Sequence, residues 1–149
     1  MNSLKNVEYI IIHHTKRNND FPSFIKFRHK YLRGWEDMGY HYLIGNVRPF
    51  TKNGKLYFGR SENLEGAHAS GHNKDSLGIC LIGNFDKISP NEKQFETLFS
   101  FLEQKIKQHN IPLENIIGHN ELQNVIKSCP GKLVEMDYIR STLFERNNF

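Results

Sequence analysis

The chain contains eight histidines and two cysteines, and His13, His119 and Cys129 stand apart from the rest. His13 follows the apolar run Val7 to Ile12, His119 follows the short apolar run after Asn115, and Cys129 lies in a loop closed by Pro130 and Gly131. Strands rich in Val, Ile and Tyr usually end in turn residues. Here the stretch "IIIHHT", Ile10 to Thr15, ends in two imidazoles and a hydroxyl. Two imidazoles and one thiolate with a fourth position open make the donor set of a catalytic zinc site, whereas a closed structural site needs a fourth ligand. His14 is the candidate fourth donor. Successive strand side chains point to opposite faces, however, so His13 and His14 do not reach one metal together, and one of them is not a ligand. The chain has no HExxH and no CxxC, so spacing alone leaves a metal-free reading of these residues open.

The remaining candidates read more plainly. His29 and His109 fall on polar flanks of helical segments, as solvated or helix-end groups. His41 alternates with Tyr40 and packs. Cys80, inside "GICLIGN", is a small core hydrophobe.

The elements that must position these groups follow from periodicity. Val7 to Ile12 is a first strand. Pro22 opens a short helix through Leu32, with Gly34 just past its end and Phe24, Phe27 and Tyr31 on its inner face. "GYHYLIGN", Gly39 to Asn46, is a second strand, and an Asn53-Gly54 turn joins Arg48 to Thr51 with Leu56 to Phe58 as a hairpin. Ser76 to Asn84 is nearly continuously apolar, as expected of a central strand covered on both faces. Ser89 caps the next helix, with Pro90 at its first position, Glu92 completing a capping box, and Phe95, Leu98, Phe99, Leu102 and Ile106 on one face. Asn115 to Gly118 is a short strand delivering His119, and Leu133 to Glu145 a final helix. The order implies an α/β fold with a mixed central β-sheet flanked by helices, and in open α/β sheets sites form at strand ends.

Residues 1–149 read as one domain, without repeat, low-complexity tract or linker. Hydrophobic residues make up 38% and charged residues 24% of the chain, which excludes disorder and fibrous classes. Twenty basic against sixteen acidic residues give a net charge of +4, scattered along the sequence, which is weak for a nucleic-acid binder. A metal-dependent nuclease, which the "GHNK" and "GHNE" loops superficially suggest, also lacks a carboxylate cluster for magnesium. No segment is apolar enough to span a bilayer, and the N-terminus lacks the apolar run of a secretory signal, so the expectation is a cytoplasmic product. Two cysteines cannot form a disulfide framework, and a Cys80–Cys129 bridge would remove the metal thiolate.

After "IIIHHT" the segments "GWEDMGYHYLI" (34–44), "GAHASGHN" (66–73), "LGICLIGNF" (77–85) and "IIGHNELQNVIKSCPG" (116–131) occur in one order. Together they resemble the zinc-dependent N-acetylmuramoyl-L-alanine amidases, the family of short phage endolysins and peptidoglycan recognition proteins. The resemblance runs from about Val7 to Gly131. It implies one zinc ion in a groove and hydrolysis of the amide joining muramic acid to L-alanine of the stem peptide. It selects His13 over His14 as ligand, adds His119 and Cys129, and makes Tyr40 and Lys127 the catalytic pair. His68 then resembles a groove histidine that contacts substrate, with a loop hydrogen bond as its other reading, and Trp35 a residue shaping the groove, with core packing as its other reading. Family members with cysteine at the position of Cys129 resemble active enzymes, those with serine pure binders. The implied partners are peptidoglycan and muropeptides, with no nucleic acid and no membrane, and the implied state is a monomer acting on the cell wall after release. Two alternatives share the fold: a non-catalytic peptidoglycan receptor and a cytosolic muropeptide-recycling amidase.

Overall fold

The computed structural model describes residues 1–47 and 49–147. Five strands form one mixed sheet: β1 (Tyr9–His14), β2 (Tyr42–Ile44), β3 (Leu56–Phe58), β4 (Ser76–Leu81) and β5 (Ile116–Gly118), in the order β3-β2-β4-β1-β5. β4 runs parallel to β1 and β2, β1 runs parallel to β5, and only the β2–β3 pair is antiparallel. Three helices cover it: α1 (Pro22–Phe27), continued by a π-helical turn over Arg28–Leu32, then α2 (Glu92–His109) and α3 (Met136–Asn147). This is the mixed sheet with flanking helices expected from the sequence.

Alternation along the strands divides the interior into two unequal parts. Ile10 and Ile12 of β1, Ile44 of β2 and Leu77, Ile79 and Leu81 of β4 join Leu98, Leu102 and Ile106 of α2 and Ile139 and Leu143 of α3 in one large apolar cluster. The opposite face holds only a small cluster of Ile25, Met38, Leu43, Cys80 and Ile82, packed by α1 and the segment before β2. All six residues of β4 are buried, in keeping with a strand covered on both sides.

Several local expectations are corrected. Phe24, Phe27 and Tyr31 do share a face, but it is the outer one: they are 36%, 50% and 67% exposed, while Ile25 and His29 point inward. The helix is anchored by Asp20, whose buried carboxylate accepts two hydrogen bonds from Arg28 at 2.8 and 2.7 Å, and that clamp sets which side faces the sheet. The α2 cap is Asn91, not Ser89. Its side chain accepts from the Gln94 N–H at 3.0 Å, the Gln94 side chain answers at 3.3 Å, and Asn91 also donates to Asn53 at 2.8 Å, a tertiary contact that moves the helix start. The strand expected from Arg48 does not pair with Leu56–Phe58. Arg48 itself lies outside the described residues, 49–51 form a turn, and β2 is the partner of β3. The last helix starts at Met136 rather than Leu133, since the Leu133 N–H is held by the Phe85 carbonyl at 2.8 Å and the Val134 N–H by the Gly131 carbonyl at 3.1 Å in a turn that precedes it.

Candidate metal centre and groove

β1 and β5 are neighbours in parallel register, with Ile12 beside Gly118. Each therefore delivers its next functional residue to the same end of the sheet: His13 within β1, and His119 in the single 3-10 turn that follows β5. Cys129 reaches them from the loop after that turn. Asn120 N–H donates to the Cys129 carbonyl at 2.7 Å, Gly131 N–H to the Ser128 carbonyl at 2.7 Å, and Asp86 accepts from Ser128 Oγ at 2.8 Å and Lys132 N–H at 2.9 Å. With the loop held on both sides of the cysteine, one ligand atom from each of His13, His119 and Cys129 lies within 4.8 Å of the others. His13 Nδ1 is 3.6 Å from Cys129 Sγ. Donors bound tetrahedrally at zinc bond lengths sit roughly 3.5 Å apart, so the donor set fits zinc.

The protonation chemistry suits a cation. Burial, followed by the neighbouring His68, His119 and His14, lowers the pKa of His13 well below 6.5, so its ring is a neutral donor. Burial also lowers His119, and the Lys127 cation adds to that. The Cys129 thiol is pushed up to about 11 by burial, against the hydrogen bond from the His14 backbone and the Lys127 charge. Holding zinc requires the thiolate, so metal binding would expel that proton.

Behind His13 runs a directed chain of hydrogen bonds. Ser76 Oγ donates to the His72 carbonyl. Its remaining contact, at 3.3 Å, is therefore accepted from His68 Nε2–H. That leaves His68 Nδ1 as the acceptor from His13 Nε2–H at 2.9 Å, and the lone pair of His13 on Nδ1, the atom facing Cys129. A hydrogen-bonded second nitrogen fixes the tautomer of a metal-ligating imidazole. Gly78, in the middle of β4, has its explanation here: a Cβ would stand 2.6 Å from the His68 ring.

The cluster lines a groove of about 1180 Å³, with Trp35, Tyr40, His68 and Lys127 also in its walls. The structure thus brings all seven sequence-derived candidates to one place. Tyr40 packs on His13, ring centroids 5.1 Å apart. Burial, with Cys80 and Cys129 close by, raises its pKa well above 10, so the hydroxyl remains a donor. Its backbone is fixed by the buried Arg60, whose N–H donates to the Tyr40 carbonyl at 2.9 Å and whose guanidinium donates to the Met38, Asp37 and Glu65 carbonyls. Lys127 is exposed at the groove edge. His68 follows the hydrogen-bonding reading rather than the substrate-contact one: both its ring nitrogens are engaged inside the protein, on His13 and Ser76.

His14 faces the other way. Its Nδ1 accepts from the Phe85 N–H at 3.2 Å, so alternation separates the two adjacent histidines as the sequence implied. His41 is packed as expected, accepting from Gly78 N–H at 3.0 Å and donating to the Leu64 carbonyl at 2.7 Å. His29, expected as a solvated or helix-end group, lies inside the helical segment. It is buried, accepts from Gly39 N–H at 2.9 Å, packs edge-on to Trp35 at 4.8 Å and helps line the groove. The four-residue step from Ile25 to His29 carried that signal, but the three aromatics offered a more conspicuous inner face. Arg33, also a groove residue, lies 5.2 Å above the Trp35 ring and had no motif to announce it.

A family model described as N-acetylmuramoyl-L-alanine amidase matches residues 3–132. The chain belongs to this amidase family. Among solved structures, the N-acetylmuramoyl-L-alanine amidase LysC from Clostridium intestinale superposes with a TM-score of 0.81 at 30% identity, covering 96% of this chain and 93% of that one. Peptidoglycan-recognition protein SD of Drosophila simulans is 42% identical over 99 residues, 66% of this chain and 49% of that protein. An N-acetylmuramoyl-L-alanine amidase of Mus musculus is 32% identical over 114 residues, 75% of this chain and 20% of the mouse protein. The chain spans about half the length, or less, of these curated relatives. The relatives it matches include both amidase-named and recognition-named proteins.

Proposed function

We infer that this chain is a zinc-dependent peptidoglycan hydrolase that cuts the amide between N-acetylmuramic acid and the L-alanine of the stem peptide. The observation that carries this reading is the convergence of His13, His119 and Cys129 within 4.8 Å at the wall of a groove that also holds Tyr40 and Lys127. A zinc ion held by His13, His119 and Cys129 would supply Lewis-acid activation of water and of the scissile carbonyl.

The protein's own groups do the rest. The His68–Ser76 chain keeps His13 in the tautomer whose Nδ1 lone pair faces the metal position. Lys127 supplies a positive charge at the groove edge where the amide oxygen becomes anionic, an interaction that strengthens in the transition state. Tyr40, held protonated, donates a hydrogen bond to the attacking oxygen or to the oxyanion. Trp35 gives the groove an apolar wall against the sugar or peptide.

Relatives named as recognition proteins favour a second reading, a receptor that binds muropeptides without cutting them. Against it stand the thiol at position 129 and the Tyr40–Lys127 pair, for which binding alone has no use. Mass spectrometry of purified peptidoglycan digested by the protein separates the readings. Free stem peptides with an N-terminal alanine, lost on chelation and restored by zinc, are the expected products. Muropeptides bound to zinc-loaded protein but left intact would establish the receptor, and peptides retained on shortened glycan would indicate a glycosidase.

A further inference from the structure

The outer face of α1 has no part in the groove chemistry. Phe50, Phe21, Phe24, Phe27 and Tyr31 form a continuous ridge with successive ring centroids 5.5, 5.6, 6.4 and 5.0 Å apart. Phe24, Phe27, Tyr31 and Phe50 are 36%, 50%, 67% and 53% exposed, and Leu32 beside them is 73% exposed. A contiguous apolar patch of this kind marks an interaction surface, whereas isolated exposed apolar residues do not.

Basic residues are dense in the segment that carries the ridge. Between Lys16 and Arg33 there are six basic residues and one acid, although the whole chain has only four more bases than acids. Lys26, Arg28 and Lys30 lie on the helical segment itself, while Lys16 and Arg33 also line the groove. The single acid, Asp20, is buried and paired with Arg28. Lys26 has a loose 3.6 Å pairing with Asp37, Lys16 a 3.9 Å pairing with Asp86, and Glu36 is met by the N-terminal ammonium. Among the described residues, Arg17, Lys30 and Arg33 have no carboxylate in ion-pair range, and all three are exposed.

The stacking geometry selects the partner. The Phe21–Phe24, Phe21–Phe50 and Phe24–Phe27 planes are inclined by only 27°, 22° and 6°, so these rings lie nearly parallel, offset along the ridge. Arg28 covers Phe24 further, 4.8 Å from its centroid. Sugars are gripped by open aromatic faces with polar groups alongside. Here four of the five rings and Leu32 have no side-chain group that can hydrogen-bond, and Tyr31 alone carries a hydroxyl. An apolar ridge flanked by cations suits the headgroup–acyl boundary of an anionic bilayer. No helix of the described residues is long and apolar enough to cross a membrane, so such contact would be lateral.

We propose that the aromatic ridge of α1 and its flanking basic residues form a docking surface for an anionic phospholipid bilayer. Because His29, Arg33 and Trp35 link the same segment to the groove, docking would hold the groove at a fixed orientation to the lipid surface.

The test is co-sedimentation of the full chain with phosphatidylglycerol vesicles and with phosphatidylcholine vesicles. Binding to the first only, weakening with salt, is expected. The exposed pair Lys26→Gln/Lys30→Gln should weaken partitioning by roughly 10- to 30-fold. Phe24→Ser/Phe27→Ser should weaken it by about tenfold or more. Both variants should keep zinc and muropeptide cleavage. Three results would overturn the proposal: no binding to phosphatidylglycerol, binding by both variants equal to that of the wild type, or a wild-type dimer in light scattering that Phe24→Ser/Phe27→Ser dissociates. Loss of sedimentation with insoluble peptidoglycan in the same variants, with vesicle binding intact, would assign the ridge to glycan instead and equally overturn it.

Discussion

Along β1, Ile10, Ile12 and His14 face α2 and α3, while Ile11 and His13 face the groove side, and the two faces of the sheet differ accordingly. Toward α2 and α3 lies a large apolar cluster, in which each fully buried Leu, Ile or Phe contributes about 1.5–3 kcal/mol relative to exposure. Toward α1 the apolar cluster is small, and much of the buried volume is polar: His13, His29, His41, His68 and Arg60, each tied into hydrogen bonds. One face stabilises the sheet so that the other can hold neutral imidazoles at fixed orientation. Strand alternation is what allows stability and chemistry to be assigned to different sides of the same residues.

The division can be broken most severely from the groove side. His13→Ala or Cys129→Ala should abolish zinc retention and reduce muropeptide cleavage to background, while circular dichroism and the cooperative melt persist. Loss of the fold in both would mean that the metal position is structural. From the other side, Ile12→Ala or Leu98→Ala should cost about 2–5 kcal/mol in denaturant unfolding, with zinc stoichiometry unchanged in the folded fraction. If either core substitution emptied the metal position, the two faces would not be separable.

A subtler change tests the hydrogen-bond chain. His68→Ala leaves all three donors in place but frees His13 to change tautomer and rotate. Zinc affinity should fall by roughly 10- to 100-fold, and the imidazole nitrogen shifts of His13 in the metal-free protein should lose the signature of a protonated Nε2. Ser76→Ala should act in the same direction and by less. Unchanged affinity in both would reduce the chain to packing.

The smallest effect belongs to the stabilising face. Burial raises the pKa of Glu62, but hydrogen bonds from Lys105, Tyr42 and His109 outweigh it and take the carboxyl from an ordinary 4.5 to about 2. A carboxyl depressed in the folded state contributes stability that is fully present above its unfolded value. That contribution fades as pH falls from about 4.5 to about 2. Glu62→Gln should flatten the melting temperature over this window and leave zinc binding at neutral pH untouched.

Much of the site was legible because its signals are local. An apolar run ending in histidine states both a strand and its terminus, and period-two alternation separates His13 from His14 without any tertiary information. The sheet's character also followed from β4, whose uninterrupted apolar sequence requires cover on both faces. What escaped were features decided by contacts distant in sequence. Asn91 rather than Ser89 caps α2 because Asn53 holds it, and α1 turns its aromatics outward because the buried Asp20–Arg28 pair sets its rotation. His68 resembles a substrate contact in sequence, but its partners, His13 and Ser76, come from two adjacent strands, β1 and β4, that only the parallel register brings together.

The central claim, that the groove face carries a three-donor zinc position left open for chemistry, is tested most directly by X-ray absorption at the zinc edge on the loaded protein. The account requires one sulfur at about 2.3 Å and two imidazole nitrogens at about 2.0–2.1 Å. A second sulfur would bring Cys80 into the site, and a third imidazole would bring in His14 or His68. Either result would contradict the open three-donor position, His14 ligation would also contradict the alternation along β1, and His68 ligation would also contradict the role given to the chain behind His13.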